Sequence, residues 1–262
     1  MPVRKRFGQH FLHDPGVIRR IIDSVAPVAG ERLVEVGPGR GALTWGLLER
    51  AGHLDVIEID RDLAQVLKAD PRAKNGLEVH VENVLDTDFI RLRGTGGPLR
   101  VVGNLPYNIS TPLLFRLLTQ RAAISEMYFM LQKEVVDRMA AQPGSKDYGR
   151  LTVMLAAAAE VEGLFDVGPG AFQPRPKVWS AIVRLRPTAN PRFDIGKEGV
   201  LRTLVSAAFS HRRKTLRNSL KGLLTAKDIA TCGIDPQLRP EMLAPPQFGL
   251  LAAHYSRLVG YT

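Results

Sequence analysis

Strand and helix signals alternate along the first half of the chain. Residues 31–37 contain the short apolar run of Leu33, Val34 and Val36 and end in glycine, and residues 41–52 then carry apolar side chains at helical spacing and stop at Gly52. The same pair of signals recurs in residues 54–60 and 61–70. Strands that alternate with helices form parallel sheets, so this pattern predicts an α/β fold.

Five later segments complete a predicted sheet of seven strands. They are residues 77–84, 99–104, 126–132, 161–167 and 179–186. The proline-rich connection between the last two suits an antiparallel edge.

A polar, turn-rich stretch follows the last predicted strand. It spans residues 188–199, and the remainder of the chain has helical periodicity without a strand signal. We therefore predict a main domain over residues 1–187 and a linker with a small helical domain over residues 188–262. A chain of 262 residues is long enough for both.

Charge and cysteine content restrict the partners. The net charge of +10 favours an anionic partner, most often nucleic acid. Cys232 is the only cysteine, which excludes an internal disulfide and indicates the cytoplasm. No apolar stretch is long enough to cross a bilayer. His10 and His13 have helical spacing, but no carboxylate or cysteine completes a ligand set with them, so we predict no metal.

The glycine-rich turn in residues 37–42 fits a nucleotide-cofactor fingerprint. Gly37 and Gly39 let the backbone approach a ligand, and Glu58 follows at the distance expected of a ribose-binding acid. The same turn can serve NAD or S-adenosylmethionine, or can be a tight turn without a ligand. Glu35 would repel the phosphates of NAD and attract the ammonium group of S-adenosylmethionine, which favours the latter. Asn83 follows another strand as a ligand of adenine or as a loop cap.

The segment GNLPY in residues 103–107 suits the binding of a planar amine. The side-chain oxygen of Asn104 and a backbone carbonyl near Leu105 and Pro106 can accept the two N–H bonds of an adenine amino group. The ring of Tyr107 can stack on the base. A capped turn with a half-buried tyrosine is the structural alternative. Position favours a site, because ligands of open α/β sheets bind at the carboxyl ends of strands.

Several motifs together resemble the ribosomal RNA adenine dimethyltransferases, over nearly the whole chain. The resemblance implies a Rossmann-like, seven-stranded class I methyltransferase sheet with a small all-helical C-terminal domain. It also implies transfer of two methyl groups from S-adenosylmethionine to each of two adjacent adenines in the 3′-terminal hairpin loop of 16S rRNA. The motifs are FGQHFL, EVGPGRGALT, VIEID, GNLPYNISTPLLF, FMLQKEV, YGRL, FQPRPKV and HRRKTLRNSL.

The same resemblance assigns roles in a cofactor pocket. His10 and Leu12 would close over the cofactor, Gly37 would lie beside its methionine part, and Glu58 would bind its ribose.

Further residues of these motifs would complete the pocket and hold the target base. The resemblance implies that Asn83 and Asn104 complete the pocket and that Tyr107 and Phe172 hold the base. His10 stands where the family often has asparagine, and Asn83 replaces a usual aspartate, losing a charged acceptor.

Basic residues are concentrated in the segment HRRKTLRNSLKG, residues 211–222. Arg213, Arg217 and Lys221 are predicted to lie roughly on one helical face, which would follow RNA phosphates or be a solvated surface. The net charge and the resemblance favour RNA. The predicted RNA-binding residues are Arg212, Arg213, Lys214, Arg217 and Lys221.

Small-subunit rRNA within an immature 30S particle is the predicted partner of a monomeric enzyme. Two other functions remain open at this point. One is a related methyltransferase of large-subunit rRNA that confers macrolide resistance, and the other is an assembly factor that binds immature small subunits and in which catalysis is secondary.

Overall fold

A seven-stranded mixed sheet forms the centre of the first part of the chain. The structure, a computed structural model, describes residues 10–107, 109–197, 199–211 and 213–260. The order of strands is β4-β3-β2-β5-β6-β9-β7. The strands are β2 (Leu33–Val36), β3 (Leu54–Ile57), β4 (Leu77–His80), β5 (Leu99–Asn104), β6 (Ile124–Gln132), β7 (Ala159–Val167) and β9 (Ser180–Pro187).

The strand directions of this sheet agree with the sequence prediction. Strands β2 to β6 pair in parallel where they are neighbours, and β9 pairs antiparallel with β6. The helices before and between these strands are α1 (Pro15–Val25), α2 (Thr44–Ala51), α3 (Arg61–Ala69), α4 (Phe89–Arg93), α5 (Ser110–Thr119), α6 (Lys133–Met139) and α7 (Arg150–Ala156). The predicted α/β class and the seven strands are confirmed.

A second, two-stranded sheet lies outside this order. It consists of β1 (Phe11–Leu12) and β8 (Phe172–Gln173), which pair antiparallel with Leu12 opposite Phe172. Leu12 and Phe172 are both buried in a core that also contains Leu33, Leu47 and Val56. Burial of these apolar side chains fixes the start of the described chain to the main sheet.

The chain divides into two compact units. Among the described residues, one unit lies within residues 10–136 and 162–187, and the other lies within residues 137–161 and 188–260. The sequence prediction placed residues 137–161 in the first domain, whereas their apolar side chains Tyr148, Val153 and Ala157 pack in the core of the helical unit. Whether residues 1–187 fold independently stays a prediction.

After residue 188, the described part of the second unit contains helices and turns but no strand. Its core contains Leu204 of α8 and Phe248 and Leu251 of α11, all fully buried. A capping box between Thr225 and Asp228 starts α10. The helices are α8 (Val200–Ala208), α9 (Leu216–Ser219), α10 (Ala226–Thr231) and α11 (Pro245–Leu258). None of the helices in the described ranges has the length and apolar character needed to cross a membrane.

Candidate active site

A pocket lies at the carboxyl ends of β2, β3 and β5. Because these strands are parallel, the residues that follow them meet at one edge of the sheet, where open α/β sheets bind ligands. The structure brings eleven of the predicted site residues together here. They are His10, Leu12, Glu35, Gly37, Gly39, Glu58, Asn83, Asn104, Leu105, Pro106 and Tyr107.

The turn after β2 depends on its glycines. Gly37 has φ of 65°, and its N–H donates to the Ile57 carbonyl over 2.9 Å. Gly39 has φ of 58°, and a Cβ there would come within 3.3 Å of the Phe11 ring. Side chains other than hydrogen are disfavoured at such positive φ values. The turn therefore keeps backbone rather than side chains against the pocket.

The carboxylate of Glu58 joins the glycine turn to the end of β3. One oxygen accepts the N–H of Gly39 over 3.1 Å, and the other accepts the N–H of Asp60 over 2.9 Å. Glu58 is buried, and this desolvation raises the pKa of its carboxyl, although the N–H donors oppose the shift. A carboxylate oxygen accepts more than one hydrogen bond, so Glu58 retains capacity for a ligand hydroxyl.

Glu35 is a buried acid in the pocket wall. Its side chain is only 2 % exposed, and it accepts a hydrogen bond of 2.6 Å from the Thr44 hydroxyl. Burial, opposed by the Thr44 hydrogen bond and reinforced by the charge of Glu58, raises the pKa of Glu35 to about 8. A cation placed beside Glu35 would restore its ionised form.

Replacement of Glu35 by glutamine should change how stability depends on pH. Between about pH 5 and 8 the folded wild type retains a proton on Glu35 that the unfolded chain has released, so its stability falls as pH rises. The wild type should lose on the order of 4 kcal/mol of unfolding free energy over this range, and we expect Glu35→Gln not to show this loss. Urea unfolding at several pH values measures it, with exposed Glu49→Gln as the control. Parallel curves for wild type and Glu35→Gln would contradict the buried, protonated carboxyl.

Asn104 ends β5 and faces the pocket. Its side-chain N–H donates to the His10 carbonyl over 3.2 Å, which orients the amide and leaves the side-chain oxygen as an acceptor. Tyr107 is fixed at its hydroxyl by a 2.9 Å hydrogen bond with Ser180. Its ring stacks against the ring of His10 with centroids 6.0 Å apart. An amide acceptor and an aromatic ring thus stand at the same pocket.

Phe172 lies elsewhere than the sequence prediction placed it. Its side chain is 2 % exposed and belongs to the hydrophobic core, and it is not in the wall of the pocket. The pairing of Phe172 with Leu12 explains this burial, because it packs the Phe172 ring with the core. Phe172 therefore supports the two-stranded ribbon of β1 and β8, and His10 directly precedes β1. Nδ1 of His10 lies 2.8 Å from the Pro174 carbonyl.

Asn83 caps a loop and also lies in the wall of the pocket, the two roles considered for it from the sequence. Its side-chain oxygen accepts the Leu85 N–H over 3.2 Å, and its amide donates to Asp86 over 2.9 Å, as a loop cap does. It also lines the pocket beside Val84. The cap orients Asn83 without excluding a ligand contact.

The apolar part of the pocket wall was not predicted from the sequence. Phe11, Ile57, Ile59 and Val84 line it, and Ile59 is 49 % exposed. Such side chains suit a flat heterocycle. The signal in the sequence was Ile59, an apolar residue that directly follows the acid Glu58 at a strand end.

The basic segment does not form one long helix. Arg213 and Lys214 precede α9, and Lys221 follows it, so the prediction that Arg213, Arg217 and Lys221 share a helical face is wrong. Thr215 is extended, and the N–H of Arg217 donates to the Pro236 carbonyl instead of continuing a helix from residue 213. The side chains of Arg213, Lys214, Arg217 and Lys221 are exposed. Arg212, also predicted to bind RNA, lies outside the described residues.

The fold and the pocket together define a Rossmann-like enzyme that binds a nucleotide-containing cofactor. The defining features are the glycine turn after one parallel strand and the acid Glu58 at the end of the next. A family model described as ribosomal RNA adenine dimethylase matches residues 2–248. The chain belongs to this family of adenine dimethyltransferases, and the predicted family and class of enzyme are confirmed.

Individual proteins agree with this assignment. The chain is 53 % identical over 249 residues to the ribosomal RNA small subunit methyltransferase A of Hahella chejuensis, covering 95 % of this chain and 91 % of that protein. A crystal structure of a dimethyladenosine transferase from Plasmodium falciparum has a TM-score of 0.76 and 26 % identity, covering 92 % and 96 % of the two chains. The 23S rRNA methyltransferase ErmE has a TM-score of 0.72 and 26 % identity, covering 94 % and 99 %. The predicted class I methyltransferase fold is confirmed.

Proposed function

We propose that this enzyme dimethylates N6 of two adjacent adenines in the 3′-terminal hairpin loop of small-subunit rRNA, with S-adenosylmethionine as methyl donor. The observation that carries the proposal is the meeting of Glu35, Glu58 and Asn104 in one pocket at the strand ends. The identity to a small subunit methyltransferase A supports the choice of subunit. We further propose that the enzyme acts as a monomer in the cytoplasm on an immature 30S particle and contributes to its assembly.

The charges of the pocket fit S-adenosylmethionine better than a dinucleotide. Two buried acids, Glu35 and Glu58, line it; they offer a pyrophosphate no compensating positive charge, whereas an ammonium or sulfonium group beside them would favour their ionised forms and be attracted to them. Gly37 would lie beside the methionine part, Glu58 would accept the ribose hydroxyls, and Ile59 with Asn83 would bind adenine. Bound there, S-adenosylmethionine supplies an electrophilic methyl group.

Asn104 and Tyr107 would prepare the target amine for attack. The lone pair of an adenine amino group is delocalised into the ring and is a poor nucleophile until the nitrogen becomes more pyramidal. Acceptance of its two N–H bonds by the Asn104 oxygen and a backbone carbonyl near Leu105 and Pro106 favours that geometry. Tyr107, held by Ser180, would stack on the base. Methylation creates a cation that loses its proton readily, so no strong general base is required.

The exposed cations around α9 are proposed to contact RNA phosphates. We expect the double variant Arg213→Ala/Arg217→Ala to weaken binding of small-subunit rRNA. The fall of log affinity with log salt should become shallower by about 1 to 2, because each lost phosphate contact contributes about 0.7 to 0.9 to this slope. Filter binding at several salt concentrations measures both. Arg202→Ala/Lys227→Ala removes the same charge from exposed positions on α8 and α10 and is the control. Equal slopes for the two double variants would mean that Arg213 and Arg217 act only through the net charge and make no particular phosphate contacts.

Mapping of methylated bases tests the substrate. The enzyme is incubated with labelled S-adenosylmethionine and with small or large subunits from a strain that lacks the modification. We expect label only in small subunits, at two adjacent adenines of the 3′-terminal hairpin. Label only in large subunits would reject the proposal in favour of the activity named for ErmE.

Assembly and catalysis can be separated with one variant. A Glu58 variant that binds small subunits but does not methylate them distinguishes the two roles. If it restores subunit maturation fully in cells, the assembly role is primary and methylation is secondary.

A further inference from the structure

Four side chains with metal-binding chemistry share one face at the edge of the main sheet. Asp55 of β3 lies opposite Glu78 of β4 in the parallel register, and Ile57 lies opposite His80. His53 precedes Asp55 by two residues, and His80 follows Glu78 by two, so alternation along a strand places all four on the same face. β4 is an edge strand of this sheet.

The distances within this group are short. The side chain of Asp55 is 3 % exposed, and its Oδ1 lies 2.7 Å from His80 Nε2. Its other oxygen, Oδ2, is buried without a hydrogen-bond partner and lies 3.4 Å from His53 Nε2. Three possible ligand atoms, one each from His53, Asp55 and Glu78, lie within 4.8 Å of one another.

The Oδ2 oxygen of Asp55 accepts no hydrogen bond and has the His53 ring at ion-pair distance, which points to a ligand shared by the two side chains. A buried carboxylate oxygen is unfavourable unless a donor or a cation satisfies it. The separation of 3.4 Å between the His53 nitrogen and Asp55 Oδ2 matches the separation of about 3.3 Å between neighbouring ligands of a tetrahedral zinc ion. An imidazole ligand favours transition metals, whereas Mg²⁺ and Ca²⁺ prefer oxygen ligands throughout.

We propose that His53, Asp55 and Glu78 form a binding site for a divalent transition-metal ion of the zinc type. The hydrogen bond from His80 to Oδ1 makes His80 a positioning residue, because it directs Oδ2 toward the ion. The ion joins the edge strand β4 to β3. The prediction of no metal rested on His10 and His13, which take no part in this site.

Cobalt spectroscopy tests the site on the full, tag-free chain after treatment with a chelator. We expect one Co²⁺ per chain, with visible absorption bands of a low-coordinate ion that zinc removes, and a higher melting temperature with zinc. His53→Ala and Glu78→Gln should each weaken Co²⁺ binding about tenfold or more. Both replaced side chains reach the surface, and melting temperatures without metal verify that the variants fold.

A second histidine and aspartate pair provides the control. His254 Nε2 lies 3.5 Å from Asp228 Oδ1. His254→Ala should leave Co²⁺ affinity and spectrum unchanged. Absence of binding at one ion per chain, or equal affinity in wild type, His53→Ala and Glu78→Gln, would overturn the proposal and leave Asp55 as an ion-paired structural residue.

Discussion

Asn104→Ala should lower the rate of methyl transfer by about 10² to 10³-fold, the range measured when one positioned hydrogen-bonding group is removed from a transition state. The loss is expected because alanine removes the oxygen proposed to accept an N–H bond of the target amine. Single-turnover transfer of labelled methyl groups to small subunits measures this rate. Affinity for S-adenosylmethionine should change much less, because the proposed ribose acceptor Glu58 and the other residues that line the pocket remain in place.

Two variants distinguish chemistry from local folding at this position. Asn104 also donates to the His10 carbonyl, so alanine removes a hydrogen bond that holds the residue before β1 as well as removing the acceptor. Asn104→Asp keeps an acceptor but loses this donor, and it should recover part of the rate. Asn190→Ala, an exposed amide outside the pocket, should match the wild type. A rate for Asn104→Ala within about threefold of the wild type would remove Asn104 from the catalytic machinery.

Glu58→Ala should weaken binding of S-adenosylmethionine by about 100-fold or more. The replacement deletes the proposed acceptor of the ribose hydroxyls, and hydrogen bonds to a charged group contribute about 1.5 to 3 kcal/mol each. It also leaves the N–H groups of Gly39 and Asp60 without their present acceptor, which loosens the glycine turn. Isothermal titration calorimetry measures the dissociation constant.

The exposed residue Glu49 supplies the matched control. Glu49→Ala removes the same charge from a helix surface and should bind the cofactor as the wild type does. The far-ultraviolet circular dichroism of Glu58→Ala should show that the sheet persists. If its cofactor affinity equals that of Glu49→Ala, Glu58 is only a structural link between the turn and β3.

The strand ends of the pocket were predictable because they depend on local patterns and one general rule. Alternating strands and helices predict a parallel sheet, and in such a sheet Gly37, Glu58 and Asn104 must meet at the carboxyl edge. The fixed backbone around Pro106 added a local reason for a site. Neither step required knowledge of distant pairings.

Features that depend on distant pairings were not predictable. The burial of Phe172 follows from its pairing with Leu12, and these two-residue strands are too short to give a periodic signal. The basic segment does not form the predicted single helix because the backbone N–H groups of residues 216 and 217 donate to the carbonyls of residues 238 and 236. The cluster of Asp55 and Glu78 becomes visible only when the register of β3 and β4 is known.

Competition between S-adenosylmethionine and NAD tests the central claim most directly, namely that the strand-end pocket is built for a cationic adenosine ligand without phosphates. Calorimetric titration should give one S-adenosylmethionine per chain. Added NAD in large excess should leave its affinity unchanged, because Glu35 and Glu58 offer a pyrophosphate no compensating positive charge, whereas the cationic ligand restores their ionised forms. Displacement of S-adenosylmethionine by NAD, or absence of S-adenosylmethionine binding to the folded wild type, would contradict the account.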